Sequence, residues 1–171
     1  MIELLKTLNI GIDISLKEAV VSLLTWEGKY LGKSFKISNN VPGVKELEDR
    51  LLSILSLGSF EHIRFGIEAT QNYGFHLSEY FATSDKLFIW KPLVYVINAK
   101  YIKDFKGAFP ERDKTDLIDS QFIAEYLRFE KLPHPFEPNT VIYLYRDWSA
   151  IATIWLRILK ERVNSFWLIS S

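Results

Sequence analysis

Three features of the 171-residue sequence predict an α/β domain built on a mixed sheet with helices on its faces. Three apolar, strand-like runs follow one another near the N-terminus and are joined by short turns, as in an antiparallel meander. Helical and strand-like patterns then alternate, which is how a sheet covered by helices is written. A proline-rich break after residue 132 is followed by apolar residues three and four apart, the spacing of a long coiled-coil helix.

The first strand is expected over residues 8–14 and the second over 19–26. Glu27-Gly28-Lys29 reads as a hairpin turn, and residues 30–37 as the third strand, with Leu31, Phe35 and Ile37 interleaved with polar residues. The loop 39–43 opens a helix in which Val44, Leu47, Leu51 and Ile54 share an apolar face. Glu46, Glu48, Asp49 and Arg50 take the opposite face, and Leu57-Gly58 closes the helix. Residues 62–67 form the fourth strand, with Glu68 at its end. Thr70 or Asn72 can cap a helix over 73–81. Pro92 splits the next apolar segment and leaves 93–97 as the fifth strand. A short helix over 99–105 leads to a loop with Gly107 and Pro110. The charged run 111–116 then opens a helix that reaches Arg128. This succession of three strands, helix, strand, helix, strand, helix is the order of the ribonuclease H-like fold, a mixed sheet flanked by helices.

Pro133, Pro135 and Pro138 forbid regular structure and mark a linker over 133–140, so the chain divides into 1–132, the linker, and 141–171. In the last part Val141, Leu144, Trp148, Ile151, Trp155 and Ile158 form a coiled-coil seam. Its tryptophans carry more apolar surface than one terminal helix can cover, so a homo-oligomer through Leu144, Trp148, Ile151 and Trp155 is expected. Arg146, Asp147, Arg157, Lys160, Glu161 and Arg162 rule out a membrane span there.

The absence of cysteine excludes disulfides, a thiol nucleophile and cysteine-type zinc sites. His62, His76 and His134 lie far apart and make no ligand pair, so a bound metal would be a hard ion held by carboxylates, Mg²⁺ or Mn²⁺. Residues 1–9 lack the pattern of a signal peptide, and a cytoplasmic location is expected. A formal net charge of zero argues against strong non-specific nucleic-acid binding and leaves room for a locally basic groove.

Asp13 interrupts the apolar run Asn9-Ile10-Gly11-Ile12-Asp13-Ile14-Ser15. A carboxylate inside a buried strand costs several kcal/mol unless a cation pairs with it, roughly the desolvation penalty of an ion. Three further acids can join it. Glu68 ends the fourth strand, a neighbour of the first in the ribonuclease H-like order, and Asp116 and Asp119 lie three apart on one helix face. Four carboxylates meeting at one point need cations between them, and two divalent metals roughly 3.5–4 Å apart are the standard arrangement for phosphodiester cleavage. Each acid also has a simpler reading taken singly: a capping box begun by Asp113 for Asp116, a solvated helix position for Asp119, a water-facing strand end for Glu68. Lys114 reads equally as a partner for a nucleic-acid phosphate or as a solvated lysine.

The stretches Gly11-Ile12-Asp13-Ile14-Ser15, Gly66-Ile67-Glu68-Ala69-Thr70 and Lys114-Thr115-Asp116-Leu117-Ile118-Asp119-Ser120 resemble the three signatures of the DEDD transposases of the insertion-sequence-110 family. The resemblance covers residues 8–132 and implies a RuvC-like catalytic domain with Asp13, Glu68, Asp116 and Asp119 as its catalytic, metal-binding tetrad. It also implies metal-dependent cutting and rejoining of DNA, a structured guide RNA as partner, and a coiled coil that joins subunits. Members carry a second domain with a serine nucleophile after the coiled coil. This chain ends at Ser171, so a truncated copy is the expectation, able to bind metal and nucleic acid without necessarily recombining DNA. Gln71 stands where many relatives have glycine. Two other functions fit the same residues. One is a non-catalytic module that regulates a full-length transposase through the tryptophan seam. The other is a RuvC-like Holliday-junction resolvase.

Overall fold

The computed structural model describes residues 2–69, 74–108, 119–129 and 132–138. They belong to a compact unit, Met1–Glu137, apart from Pro138. A short helix α1 (Ile2–Leu5) leads into β1 (Thr7–Ile14), β2 (Glu18–Thr25) and β3 (Phe35–Ser38). Then come α2 (Val41–Leu57), β4 (His62–Glu68), α3 (Phe75–Ala82), a 3₁₀ turn at Phe88–Trp90, β5 (Leu93–Ile97), α4 (Ala99–Gly107) and α5 (Asp119–Tyr126). The sheet order is β3-β2-β1-β4-β5. β1, β2 and β3 form an antiparallel meander, and β4 and β5 run parallel to β1. These are the order and directions of the ribonuclease H-like arrangement. Among the described residues no helix is long and apolar enough to cross a membrane.

The pleat divides β1 cleanly. Leu8, Ile10, Ile12 and Ile14 join the larger core with Val44, Leu47, Leu51 and Leu55 of α2, Leu77 and Phe81 of α3, and Ile63, Phe65 and Ile67 of β4. The Phe65 and Phe81 rings stack there, 4.4 Å between centroids. The opposite face carries a smaller core in which Tyr95 and Ile97 of β5 meet Ile102 of α4 and Ile123 of α5, with Leu127 just beyond. Helices α2 and α3 therefore cover one face, and α4 and α5 the other.

Several expectations are corrected. The third strand is shorter than residues 30–37. Tyr30 makes only an isolated bridge to Leu24, and Gly32 at φ +85° turns the chain out of extended geometry before Phe35. Glu48 is not on a solvated face of α2: it is 2% exposed. Its carboxylate accepts from Ser84 Oγ (2.5 Å) and Tyr80 Oη (3.0 Å) and pairs with Lys86 Nζ (3.0 Å), tying α2 to α3 and the turn after it. The periodicity of α2 missed this because an acid satisfied by distant partners is invisible at helical spacing. Helix α4 extends to Gly107, and Asn98 caps it by accepting from Lys100 N–H (2.9 Å). Helix α3 begins at Phe75, while Thr70 and Asn72 lie outside the described residues. Within the proline-rich stretch, Phe136 N–H donates to Val94 O (2.6 Å) and its ring meets Phe75 edge-on, so that part is packed on the unit. The seam residues Leu144, Trp148, Ile151 and Trp155 lie outside the described residues.

Burial alone raises the Glu48 carboxyl pKa, but the hydrogen bonds from Ser84, Lys86 and Tyr80 outweigh it and hold the group below its ordinary range. A lowered folded-state pKa gives stability that is present above the unfolded value, about 4.3, and is lost as pH falls through the folded one. Glu48→Gln should thus cost about 2 kcal/mol in urea unfolding at neutral pH, with the gap to wild type closing as pH drops below the carboxylate range.

Candidate functional site

Asp13 and Glu68 are brought level by strand register. The parallel pairing of β1 and β4 runs through Gly11↔Gly66 and Ile12↔Ile67, and Asp13 and Glu68 are the next residues on each strand. Partners in register share a face, so both acids lie on the side covered by α5, two residues beyond the glycine pair. Both are half-buried.

The glycines set how closely α5 approaches. A Cβ on Gly11 would run into the Ser120 carbonyl oxygen and stand 2.5 Å from Ala124 N, both α5 backbone. A Cβ on Gly66 would stand 2.7 Å from the Ile123 side chain. With bare backbone beneath it, α5 rests directly on β1 and β4. It is fastened to β2 by a Ser22 Oγ–Ser120 Oγ hydrogen bond (2.7 Å) between two buried hydroxyls. Its first described residue, Asp119, is thereby held next to the end of β1.

The electrostatics register this meeting. Burial first, and the Asp119 carboxylate second, push the Asp13 carboxyl above its ordinary range, while the Lys106 ammonium pulls it back in part. Lys106, in the last turn of α4, pairs with Asp119 at 2.5 Å and lies 5.5 Å from the Phe122 ring centroid. The Asp119 charge thus reaches Asp13, and the Lys106 ammonium acts on both. Among the described residues no three acids or histidines stand close enough together to hold a metal ion. Asp116 and Lys114 lie outside the described residues.

A family model described as a transposase, of the DEDD insertion-sequence-110 type, matches residues 10–146. The chain belongs to this family. Its function is that of a transposase-type recombinase. Among solved structures the chain is similar to T. thermophilus RuvC in complex with Holliday junction substrate, at 14% sequence identity and a TM-score of 0.48, over 76% of this chain and 99% of that one. No curated protein matches.

Within this transposase domain, three of the four expected acids fall in described elements. The Asp119 charge reaches Asp13, and Glu68 is level with Asp13 on the adjacent strand. Sequence reading missed Lys106, which sits in the last turn of α4 and has no spacing relation to the acids. It also missed the glycine pair, although the signal is present: Gly-Ile-Asp and Gly-Ile-Glu place a glycine two residues before each strand acid.

Gly11→Ala should cost about 3 kcal/mol in urea unfolding, because the methyl group meets helix backbone that has no rotamer to yield. Gly107→Ala, with nothing within 4 Å of the added atom, should stay within about 0.5–1 kcal/mol of wild type.

Proposed function

We propose that Asp13, Glu68, Asp116 and Asp119 form a divalent-metal site for Mg²⁺ or Mn²⁺, at which the domain cleaves and joins DNA strands. The observation that carries this reading is the placement of Asp119, at the start of the seated helix α5 and paired with Lys106, near the strand acid Asp13. A half-buried strand carboxylate with an exposed helix carboxylate near it, both oxygen donors, suits a hard cation. Bound there, such ions supply activation of the attacking oxygen and stabilisation of the leaving one, and a pair of them is the usual number for this chemistry.

The chain's own residues do the rest. The sheet fixes Asp13 and Glu68 on adjacent strands, and α5 seated on the glycines brings Asp119 near Asp13. Lys106 pairs with Asp119 and ties α4 to α5. It would have to release Asp119 for that carboxylate to hold a divalent ion. Asp116, three residues before Asp119, completes the set, and Lys114 contacts a DNA phosphate. Residues 1–132 form the catalytic part and 133–140 the linker. The seam of Leu144, Trp148, Ile151 and Trp155 begins a coiled coil that joins subunits, and a structured guide RNA is the further partner that the family resemblance implies.

A calorimetric Mn²⁺ titration tests the site. Wild type should bind, Asp13→Asn should bind at least about tenfold more weakly, and Lys106→Met should bind more tightly because no ammonium has to be displaced. No binding by folded wild type, or equal binding by Asp13→Asn, would remove the reading.

A further inference from the structure

At the opposite end of the same sheet face the charge is reversed. A cavity of about 390 Å³ is lined by Leu4, Thr7, His62, Arg64, Lys91 and Leu93. Register explains the gathering. Arg64 pairs with Leu93 and Thr7 with His62, so His62 and Arg64 sit two apart on β4 with side chains on one face. Lys91, two residues before Leu93, falls level with His62. It has φ +49°, an αL position that ends the 3₁₀ turn and starts the approach to β5.

Arg64 and Lys91 are unlike in how they are held. Arg64 is fixed: it donates to Leu127 O at 3.2 Å, and its guanidinium lies 5.5 Å from the Trp26 ring centroid. Lys91 is exposed. Among the described residues neither Arg64 nor Lys91 forms an ion pair. The nearby carboxylate, Glu61, is engaged by Lys6. Its carboxyl is held below its ordinary range by that hydrogen bond first, with burial opposing, and by Lys6, His62 and Lys91 in turn. A positioned guanidinium, a mobile-stemmed ammonium and an imidazole N–H converging on one cavity make a donor set for an anion with several oxygens, and a phosphate matches it.

We propose that this cavity is a second nucleic-acid contact, in which His62, Arg64 and Lys91 hold a backbone phosphate of the DNA about 20 Å from the carboxylate end, the length of six residues of β1 at roughly 3.3 Å each. The proposal rests on the reading of the domain as one that acts on DNA, and it adds where the duplex is anchored. It also accounts for a neutral chain engaging a polyanion: the positive groups are gathered at one strand end and the negative ones at the other.

The test is binding of a fluorescein-labelled 20-base-pair DNA duplex to the full chain, followed by anisotropy across a salt series in EDTA. Lys91→Glu is compared with Lys45→Glu, the same charge reversal at an exposed position of α2 on the other side of the sheet. Lys91→Glu should weaken binding several-fold and lower the slope of log affinity against log salt by about one, while Lys45→Glu should follow wild type. Binding by wild type with Lys91→Glu unchanged overturns the cavity assignment and leaves the metal site standing. So does a Lys91-dependent affinity for inorganic phosphate with DNA affinity unchanged, which would mark a small-molecule phosphate site. No DNA binding by wild type overturns the cavity assignment and the DNA reading together, and the Mn²⁺ titration then says whether the acids still form a metal site.

Discussion

The close seating of α5 on bare strand backbone is the constraint from which the rest follows. Gly11 and Gly66 are register partners in the two central parallel strands, and their missing side chains let the helix backbone come down onto the sheet. That approach buries Ser120 against Ser22, packs Ile123 and Leu127 into the smaller core, and places Asp119 beside Asp13. A bulkier residue at either glycine would lift the helix and separate the acids. The local cost of two strand glycines, about 0.5–1 kcal/mol each in lost rigidity, is small beside what the contact makes possible.

The acids are held together against their own repulsion, and the fold tolerates this because the large core lies on the other face. Ile10 and Ile12 are fully buried against α2 and α3, and the same strand carries Gly11 and Asp13 on the α5 side. Alternation along one strand thus separates stability from chemistry. The Lys106 ammonium, paired with Asp119, offsets in part what burial first and the Asp119 charge second do to the Asp13 carboxyl, which stays above its ordinary range. Arg64 and Lys91 stand at the other end of that face, and with charges distributed in this way a net charge of zero says little about how this surface meets a polyanion.

Much of this was legible in the sequence. The five strands, their order and the helices between them follow from apolar runs, turn residues and Pro92, and Asp13 announces itself because a carboxylate between two isoleucines has no cheap structural explanation. The ordered signatures around Asp13, Glu68 and Asp119 pointed to the transposase family that the family comparison establishes. What escaped depends on contacts between distant residues. Glu48 looked solvated on a helical wheel because Ser84, Tyr80 and Lys86 are more than thirty residues away. Lys106 and the Arg64–Lys91 gathering arise from how α4 packs and how β5 registers on β4, which no periodicity encodes. The third strand was overextended because Gly32 adopts a positive φ inside an otherwise plausible alternation.

Anomalous diffraction from crystals soaked in Mn²⁺ would test the central claim most directly. The account predicts a manganese peak bounded by the carboxylates of Asp13, Glu68 and Asp119, with the Lys106 ammonium moved off Asp119. An intact Lys106–Asp119 pair with no peak among these acids at saturating Mn²⁺ would contradict it.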